Sequence, residues 1–190
     1  CSESGARLGR VETPHGGFDT PAFMPVGTQS CVKGLWPDQV AETGSQIILN
    51  NAYHLMLRPG DAAVARRGGC HQFMRWSGPI LTDSGGYQAY SMAHINRLDE
   101  EGVRFRSIVD GAWVDLGPER SMEVQNNIGA DIIMAFDDCP PAGDPKEVVG
   151  FRKRVTTDGH RGLEHHDRLR DAHERTVRWL DRCVKAHQRP

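Results

Sequence analysis

The sequence predicts an α/β fold organised around a parallel sheet, on three observations. The apolar run Pro79-Ile80-Leu81-Thr82 stops at Asp83 and two glycines, as a buried strand ending in a tight loop does. A second run, Asp131-Ile132-Ile133-Met134-Ala135-Phe136, is too apolar for a half-exposed strand. It stops at Asp137-Asp138-Cys139-Pro140-Pro141 and so reads as a strand buried on both faces. Helical and strand segments alternate along the chain, a βαβα rhythm that leaves two architectures, a TIM barrel and an open doubly wound sheet. A GxGxxG fingerprint is missing, and with it the main support for a dinucleotide-binding sheet.

Taken in order, Ala22 to Val26 predicts a strand, Pro37 to Glu42 a short helix, Gln46 to Asn51 a strand, Asp61 to Arg67 a helix and Pro79 to Thr82 a strand. Val103 to Val109 alternates with period two, Asp110-Gly111 is a type I′ turn signal, and Ala112 to Leu116 returns. An antiparallel hairpin near residues 103–116 therefore reads as an insertion into the rhythm. Pro118 suits a first helical position and Gly129 a C-terminal cap, framing a helix that leads into the strand ending at Phe136. From Gly150 to Pro190 eleven Lys and Arg stand against six Asp and Glu, with five His added, and Val177, Leu180 and Val184 fall at helical spacing among them. The segment reads as an amphipathic helix with a solvated charged side; a phosphate-contacting face is the sharper alternative.

At 190 residues, with 38% hydrophobic content, the chain is of single-domain length and able to bury a core. No run of about 18 apolar residues is present, so no membrane span is expected. The formal charge of −2 does not by itself suggest nucleic acid. Five cysteines, Cys1, Cys31, Cys70, Cys139 and Cys183, are odd in number and lack short paired spacing, which argues against a disulfide framework and a CxxC zinc site and for reduced thiols. The chain opens on Cys1 rather than a methionine and without a basic, apolar leader, so it reads as trimmed or as an excerpt, with the cytoplasm as the default location.

Asp83-Ser84-Gly85-Gly86-Tyr87-Gln88 is the most chemically informative segment. It places a carboxylate, a hydroxyl, free backbone amides and an aromatic ring at one strand end, as a site for a small planar ligand does. A plain turn capped by Asp83 is the bland alternative. Asp137 repeats the strand-end carboxylate, and ligands bind at that end of parallel α/β sheets, so Asp83 and Asp137 could face one pocket. Helix capping or solvation in a Pro-rich loop is the bland account of Asp137 and Asp138.

These segments carry a resemblance. Thr82-Asp83-Ser84-Gly85-Gly86-Tyr87-Gln88, Met134-Ala135-Phe136-Asp137-Asp138-Cys139, Pro21-Ala22-Phe23-Met24-Pro25-Val26-Gly27-Thr28 and Asn51-Ala52-Tyr53-His54-Leu55-Met56-Leu57-Arg58-Pro59-Gly60 together resemble the queuine/archaeosine tRNA-guanine transglycosylases. The resemblance covers roughly residues 6–143, through Glu100-Glu101-Gly102-Val103 and Pro118-Glu119-Arg120-Ser121, and resumes near Arg175-Thr176-Val177-Arg178-Trp179-Leu180. It implies a TIM (β/α)8 barrel with insertions. With about four suitable strands here, against a barrel of typically about 250 residues, residues 1–190 would be the N-terminal part of one such domain, roughly the first half.

The resemblance also implies a reaction: exchange of guanine at the anticodon wobble position of tRNAs with GUN anticodons for a 7-deazaguanine, by double displacement through a covalent ribose intermediate. Asp83 would be the general acid/base, Tyr87 would stack on the base, Asp137 would hydrogen-bond its guanine-like edge, and Ser84, Gly85 and Gly86 would shape the floor. Cys139 resembles the bacterial type, favouring a deazaguanine precursor of queuosine, although a small buried residue is its bland reading. The carboxylate nucleophile and the Cys and His ligands of a structural Zn2+ would lie outside the matched segment, and the complete enzyme would be a cytoplasmic homodimer. Cys183 with His187, or His165 with His166, do not make a closed zinc site. A His- and Arg-rich stretch near 151–173, with Thr157-Asp158-Gly159-His160-Arg161, departs from the family pattern and reads as a surface insertion or an added RNA contact. A non-catalytic partner subunit and a DNA-directed deazaguanine transglycosylase are the rival functions.

Overall fold

A computed structural model describes residues 3–92, 95–141 and 164–189. The chain divides into two compact units, residues 1–83 with 124–134 and residues 84–123 with 135–190.

The first unit opens with a hairpin that the sequence reading placed nowhere, β1 (Gly9–Thr13) against β2 (Gly16–Thr20). Thr13 lies opposite Gly16, so Pro14 and His15 alone make the loop. Then come three short parallel strands, β3 (Val26–Gly27), β4 (Ile48–Asn50) and β5 (Ile80–Thr82), paired in sequential order. Leu81 pairs in parallel with Ile132, which extends the same order by one segment without reversal. Helix α1 (Pro37–Glu42) joins β3 to β4, and α2 (Ala52–Leu57), α3 (Asp61–Arg66) and α4 (Gly69–Met74) join β4 to β5. Helices α1 and α3 lie where the sequence predicts them, whereas α2 and α4 carry no clear sequence signal. Helix α2 follows β4 with no punctuation beyond Asn51, and α4 starts at two glycines with positive φ, which read as loop.

Val40, Ile48, Leu55, Val64, Cys70 and Ile80 pack into one core with Val124 and Ile128 of α6 (Pro118–Ile128). That helix ends where Gly129 turns to φ 73°, a left-handed conformation that costs glycine little.

The expected strand over 131–136 is corrected. Its backbone bonds to β5 are Asp131 N and Ile132 N to Ile80 O and Thr82 N to Ile132 O. Two residues on, the Gln125 side chain replaces a strand neighbour: its amide donates to Met134 O at 2.8 Å and its oxygen accepts from Met134 N at 3.0 Å. Ile132 and Ile133 are half-buried and Met134 is exposed, so burial on both faces does not extend along the run.

The second unit holds α5 (Gly86–Met92), an antiparallel sheet of β6 (Ile95–Asp99), β7 (Gly102–Arg106) and β8 (Trp113–Leu116) in that order, and α7 (His165–Ala186). The expected type I′ turn is corrected. Residues 107–112 form a six-residue loop in which Gly111 has positive φ and Asp110 does not. Ser107 N donates to Ala112 O at 2.8 Å and the Ser107 hydroxyl accepts from Val109 N at 3.1 Å, closing the loop locally.

Helix α7 is amphipathic, but its buried face is not the expected one. Ala172, Arg175, Trp179 and Cys183 face inward, at spacings of three and four, while Val177, Leu180 and Val184 are exposed. Both stripes satisfy helical periodicity. Trp179 decides between them: its ring stacks on Phe136 with centroids 5.2 Å apart and its indole N–H donates to Glu100 O at 2.8 Å. Burying that ring contributes on the order of a few kcal/mol and satisfies its N–H, a pairing that the two valines and the leucine of the other stripe cannot make. Arg178 pairs with Glu100 and Arg182 with Glu119, both within 2.9 Å, so this side of the helix is occupied by the unit's own acids. Residues 151–163 of the His- and Arg-rich stretch lie outside the described residues; 165–173 form the first turns of α7. Among the described residues no helix is long and apolar enough to cross a membrane.

Candidate active site

In the first unit, Asp83 follows β5 and both its oxygens are engaged. Oδ2 accepts from the Asn51 amide at 2.5 Å and Oδ1 from the backbone N–H of Ala52, the first residue of α2, at 2.8 Å. The Asp83 N–H donates to Asn50 O at 3.2 Å, so the loop continues the pairing of β4 with β5 by one residue. The carboxylate thus has a fixed orientation, and the backbone it caps is the start of α2, 31 residues away, where a plain turn was the alternative. Burial holds His54, on α2, below its ordinary pKa; the charge of Asp83 opposes that shift and Lys33 adds to it. His54 is therefore neutral at pH 7 and is not a cationic partner for Asp83.

In the second unit, the remaining predicted groups come together around one polar contact. The Ser84 hydroxyl donates to Asp137 Oδ1 at 3.2 Å and accepts from the Gly86 N–H at 3.2 Å. The Ser84 carbonyl accepts from the Ser121 hydroxyl at 2.8 Å, which pins the loop to α6. Gly85 has φ 81°. Gly86 opens α5 with its α-carbon against Asp137: a Cβ there would lie 2.6 Å from Asp137 Oδ1 and 2.9 Å from Asp137 O. Tyr87 is 62% exposed, leaving its ring available for stacking. Cys139 is half-buried. Its thiol is pushed up first by burial and then by the charges of Asp137 and Asp138, and so stays protonated at neutral pH.

Asp138 is neither a cap nor solvated, and its bland reading is corrected. Its side chain is 1% exposed and bound by Arg168 and Arg175 of α7. Phe136 and Asp138 are buried while Asp137 and Cys139 are half-exposed, the alternation of an extended chain.

The profile of the family described as Queuine tRNA-ribosyltransferase matches residues 1–190. The chain belongs to that family. It is 50% identical over all its 190 residues to a queuine tRNA-ribosyltransferase of Bacillus licheniformis, 48% to one of Staphylococcus epidermidis and 47% to one of Staphylococcus aureus. It spans 45% of the length of each of these curated relatives.

One further polar cluster in this family member has no signal in the local sequence. His15 in the β1–β2 loop, His71 in α4 and Asp131 bring three potential metal-ligand atoms within 4.8 Å of one another. The two imidazoles stack with centroids 3.5 Å apart and planes 13° apart. A metal lies close to the plane of each imidazole that binds it, and two near-parallel planes at that separation share no such point. The arrangement therefore does not fit a metal held by both rings, nor does it supply the four ligands of a closed structural zinc site. The carboxylate is instead an acceptor for His15 Nδ1 at 2.6 Å, His71 Nε2 at 3.1 Å and Ile80 N at 2.9 Å. Burial pushes the Asp131 carboxyl up, and these hydrogen bonds together with the nearby imidazoles outweigh it, leaving its pKa below the ordinary value. No second group of three such ligands occurs among the described residues; Cys183 instead packs its sulfur against Phe136 N.

Proposed function

We propose that this chain supplies the base-binding and proton-transfer side of a tRNA-guanine transglycosylase. The enzyme exchanges guanine at the wobble position of GUN anticodons for a 7-deazaguanine precursor of queuosine. The observation that carries the reading is the Ser84–Asp137–Gly86 contact, with the exposed Tyr87 ring beside it in sequence, in a chain of this family.

The chemistry is a double displacement. A carboxylate outside this chain attacks C1′ of the ribose, the bond to guanine breaks, and Asp83 delivers a proton to the leaving base. The incoming deazaguanine then loses a ring-nitrogen proton to Asp83 and attacks C1′, releasing the carboxylate, so charge and protons balance over the cycle. The Asn51 amide and the Ala52 N–H keep Asp83 in one orientation for both transfers. Asp137 accepts from the N–H groups on the guanine-like edge, and the Ser84 hydroxyl fixes one of its oxygens. The half-exposed, protonated Cys139 borders this edge and favours a bacterial-type substrate.

A TIM barrel suits the scaffold. The sequential, non-reversing order β3, β4, β5 and Ile132 supports it, as does the exposure of Val26 in β3 and of Phe23 just before it in sequence, at the edge where further strands would close the sheet. In this reading the chain is the N-terminal part of one barrel domain, with β6, β7 and β8 as an insertion and α7 preceded by a second one. The enzyme is a cytoplasmic homodimer, and its structural zinc takes ligands outside the described residues.

Exchange of labelled guanine into tRNA by the full-length protein tests the proposal. Wild type should incorporate label. Asp83→Asn, which keeps the shape and an acceptor, should lose at least about a hundredfold in kcat, within the range of general acid/base contributions. Activity of Asp83→Asn within about threefold of wild type would remove Asp83 from the mechanism.

A further inference from the structure

The first turns of α7 lie in the stretch whose role the sequence left unread, and they hold the residue next to Asp137. Arg168 binds Asp138 through both guanidinium ends, Nη2 to Oδ1 at 2.6 Å and Nη1 to Oδ2 at 3.0 Å. Arg175, seven residues and so about two turns further along α7, donates Nη1 to Oδ2 at 2.6 Å. Thr176 adds a fourth contact, its hydroxyl oxygen accepting from the Asp138 backbone N–H at 3.1 Å. The site is nearly dry: the side chains of Asp138, Arg168 and Arg175 are 1%, 13% and 8% exposed. Asp171 takes Arg175 Nη2 at 3.1 Å, which supplies part of the balancing negative charge.

This cluster is larger than a packing role needs. A buried ion pair is weak evidence of stabilisation, because desolvating the charges offsets most of their attraction. What two arginines and a hydroxyl do strongly is fix geometry. A bidentate guanidinium sets the plane of the carboxylate, and the Thr176 contact sets the peptide that joins Asp137 to Asp138. With that peptide fixed, alternation along the extended chain sends Asp137 and Cys139 to the opposite face, where Asp137 meets the Ser84 hydroxyl.

We propose that Arg168 and Arg175 are positioning residues for base recognition: acting through Asp138, they hold Asp137 and Cys139 in the register that presents them to the heterocycle. The inference rests on the transglycosylase reading above and adds the structural source of its specificity. It assigns a function to the start of α7 and gives the two neighbouring carboxylates opposite tasks, Asp137 toward ligand and Asp138 toward helix.

The test uses the full-length protein and compares wild type with Arg168→Ala and Arg168→Lys. Arg168 is chosen over the more deeply buried Arg175. The readouts are KM for guanine, kcat for label exchange, tRNA affinity by gel shift, and thermal unfolding. The KM for guanine should rise by at least about tenfold in Arg168→Ala, with tRNA affinity and kcat at saturating guanine changed by less than about threefold. Arg168→Lys keeps the charge but not the planar fork, and should recover less than half of that loss. If the alanine variant does not fold, the lysine variant alone carries the test, and its KM for guanine should still rise by about threefold or more. An unchanged KM in a folded variant overturns the inference, and so does a loss confined to kcat or tRNA affinity. Absence of exchange by wild type would instead overturn the transglycosylase reading on which the inference stands.

Discussion

Gly86→Ala is the sharpest perturbation of the loop proposed to bind the base, because the clash it creates is aimed at one residue. Gly86 has no positive φ, so alanine suits its backbone, and at the start of α5 it would gain about 0.5–1 kcal/mol of helical preference. Against that, the added Cβ would lie 2.6 Å from Asp137 Oδ1, 2.9 Å from Asp137 O and 3.3 Å from Ser84 Oγ. The carboxylate oxygen can rotate away. The carbonyl oxygen cannot, so the Asp137 backbone must shift. Overpacking of this kind costs about 1–3 kcal/mol, so the net change in stability should be small, about 0–2.5 kcal/mol. Base recognition should suffer more in proportion, since misplacing a charged hydrogen-bond acceptor forfeits up to about 1.5–3 kcal/mol, or roughly tenfold to a hundredfold in KM for guanine. Guanine exchange into tRNA by the full-length variant, run beside a thermal melt, reads both quantities. A folded variant with the wild-type KM for guanine would refute the contact between Gly86 and a ligand-binding Asp137.

Three further outcomes follow from the same geometry. Tyr87→Phe should be mild and Tyr87→Leu clearly worse in exchange assays, because the exposed ring offers stacking worth on the order of 1–3 kcal/mol; equal damage by Phe and Leu would make the hydroxyl the active part. Asp83→Ala should lower the melting temperature as well as abolish exchange, since it strips an acceptor from Asn51 and Ala52, whereas Asp83→Asn should lose activity with a smaller thermal shift; equal melting of the two would contradict the capping role. Acid should weaken the first unit through His71. Burial, more than repulsion from His15, lowers its pKa in spite of Asp131 and Gly78, so the unfolded chain binds more protons and stability falls as pH drops below about 6.5. Asp131, held below its ordinary carboxyl value, adds a loss in the same direction at lower pH, and His71→Gln should flatten the melting-temperature profile just below about pH 6.5.

The sequence was most legible where side-chain type and chain punctuation agree. Pro37 and Pro118 mark helix starts by their restricted φ and Gly129 a helix end by its freedom to take positive φ, and α1 and α6 lie where those residues put them. Asp83 and the glycines after it were legible as a strand-end loop because a carboxylate between an apolar run and Gly85-Gly86 has few other uses. What was hidden depends on partners far away in sequence. The buried face of α7 differs from the expected one because Val177, Leu180 and Val184 fit helical spacing as well as Ala172, Arg175, Trp179 and Cys183 do, and the choice is made by Phe136 and Glu100. Asp138 looked like a solvated loop residue because its counter-ions are 30 and 37 residues away. The His15–Asp131 contact, 116 residues apart, had no local signal at all.

Preference for guanine over hypoxanthine tests the central claim most directly, because the two bases differ by the 2-amino group on the edge that Asp137 is proposed to read. The full-length wild-type protein should exchange labelled guanine into tRNA with a KM at least about tenfold below that for hypoxanthine, as a charged acceptor covered by the base and left without its donor demands. Asp137→Asn, which replaces one acceptor oxygen by a donor, should bring the two values within about threefold of each other, chiefly by raising the KM for guanine. Undiminished guanine preference in Asp137→Asn would contradict the account.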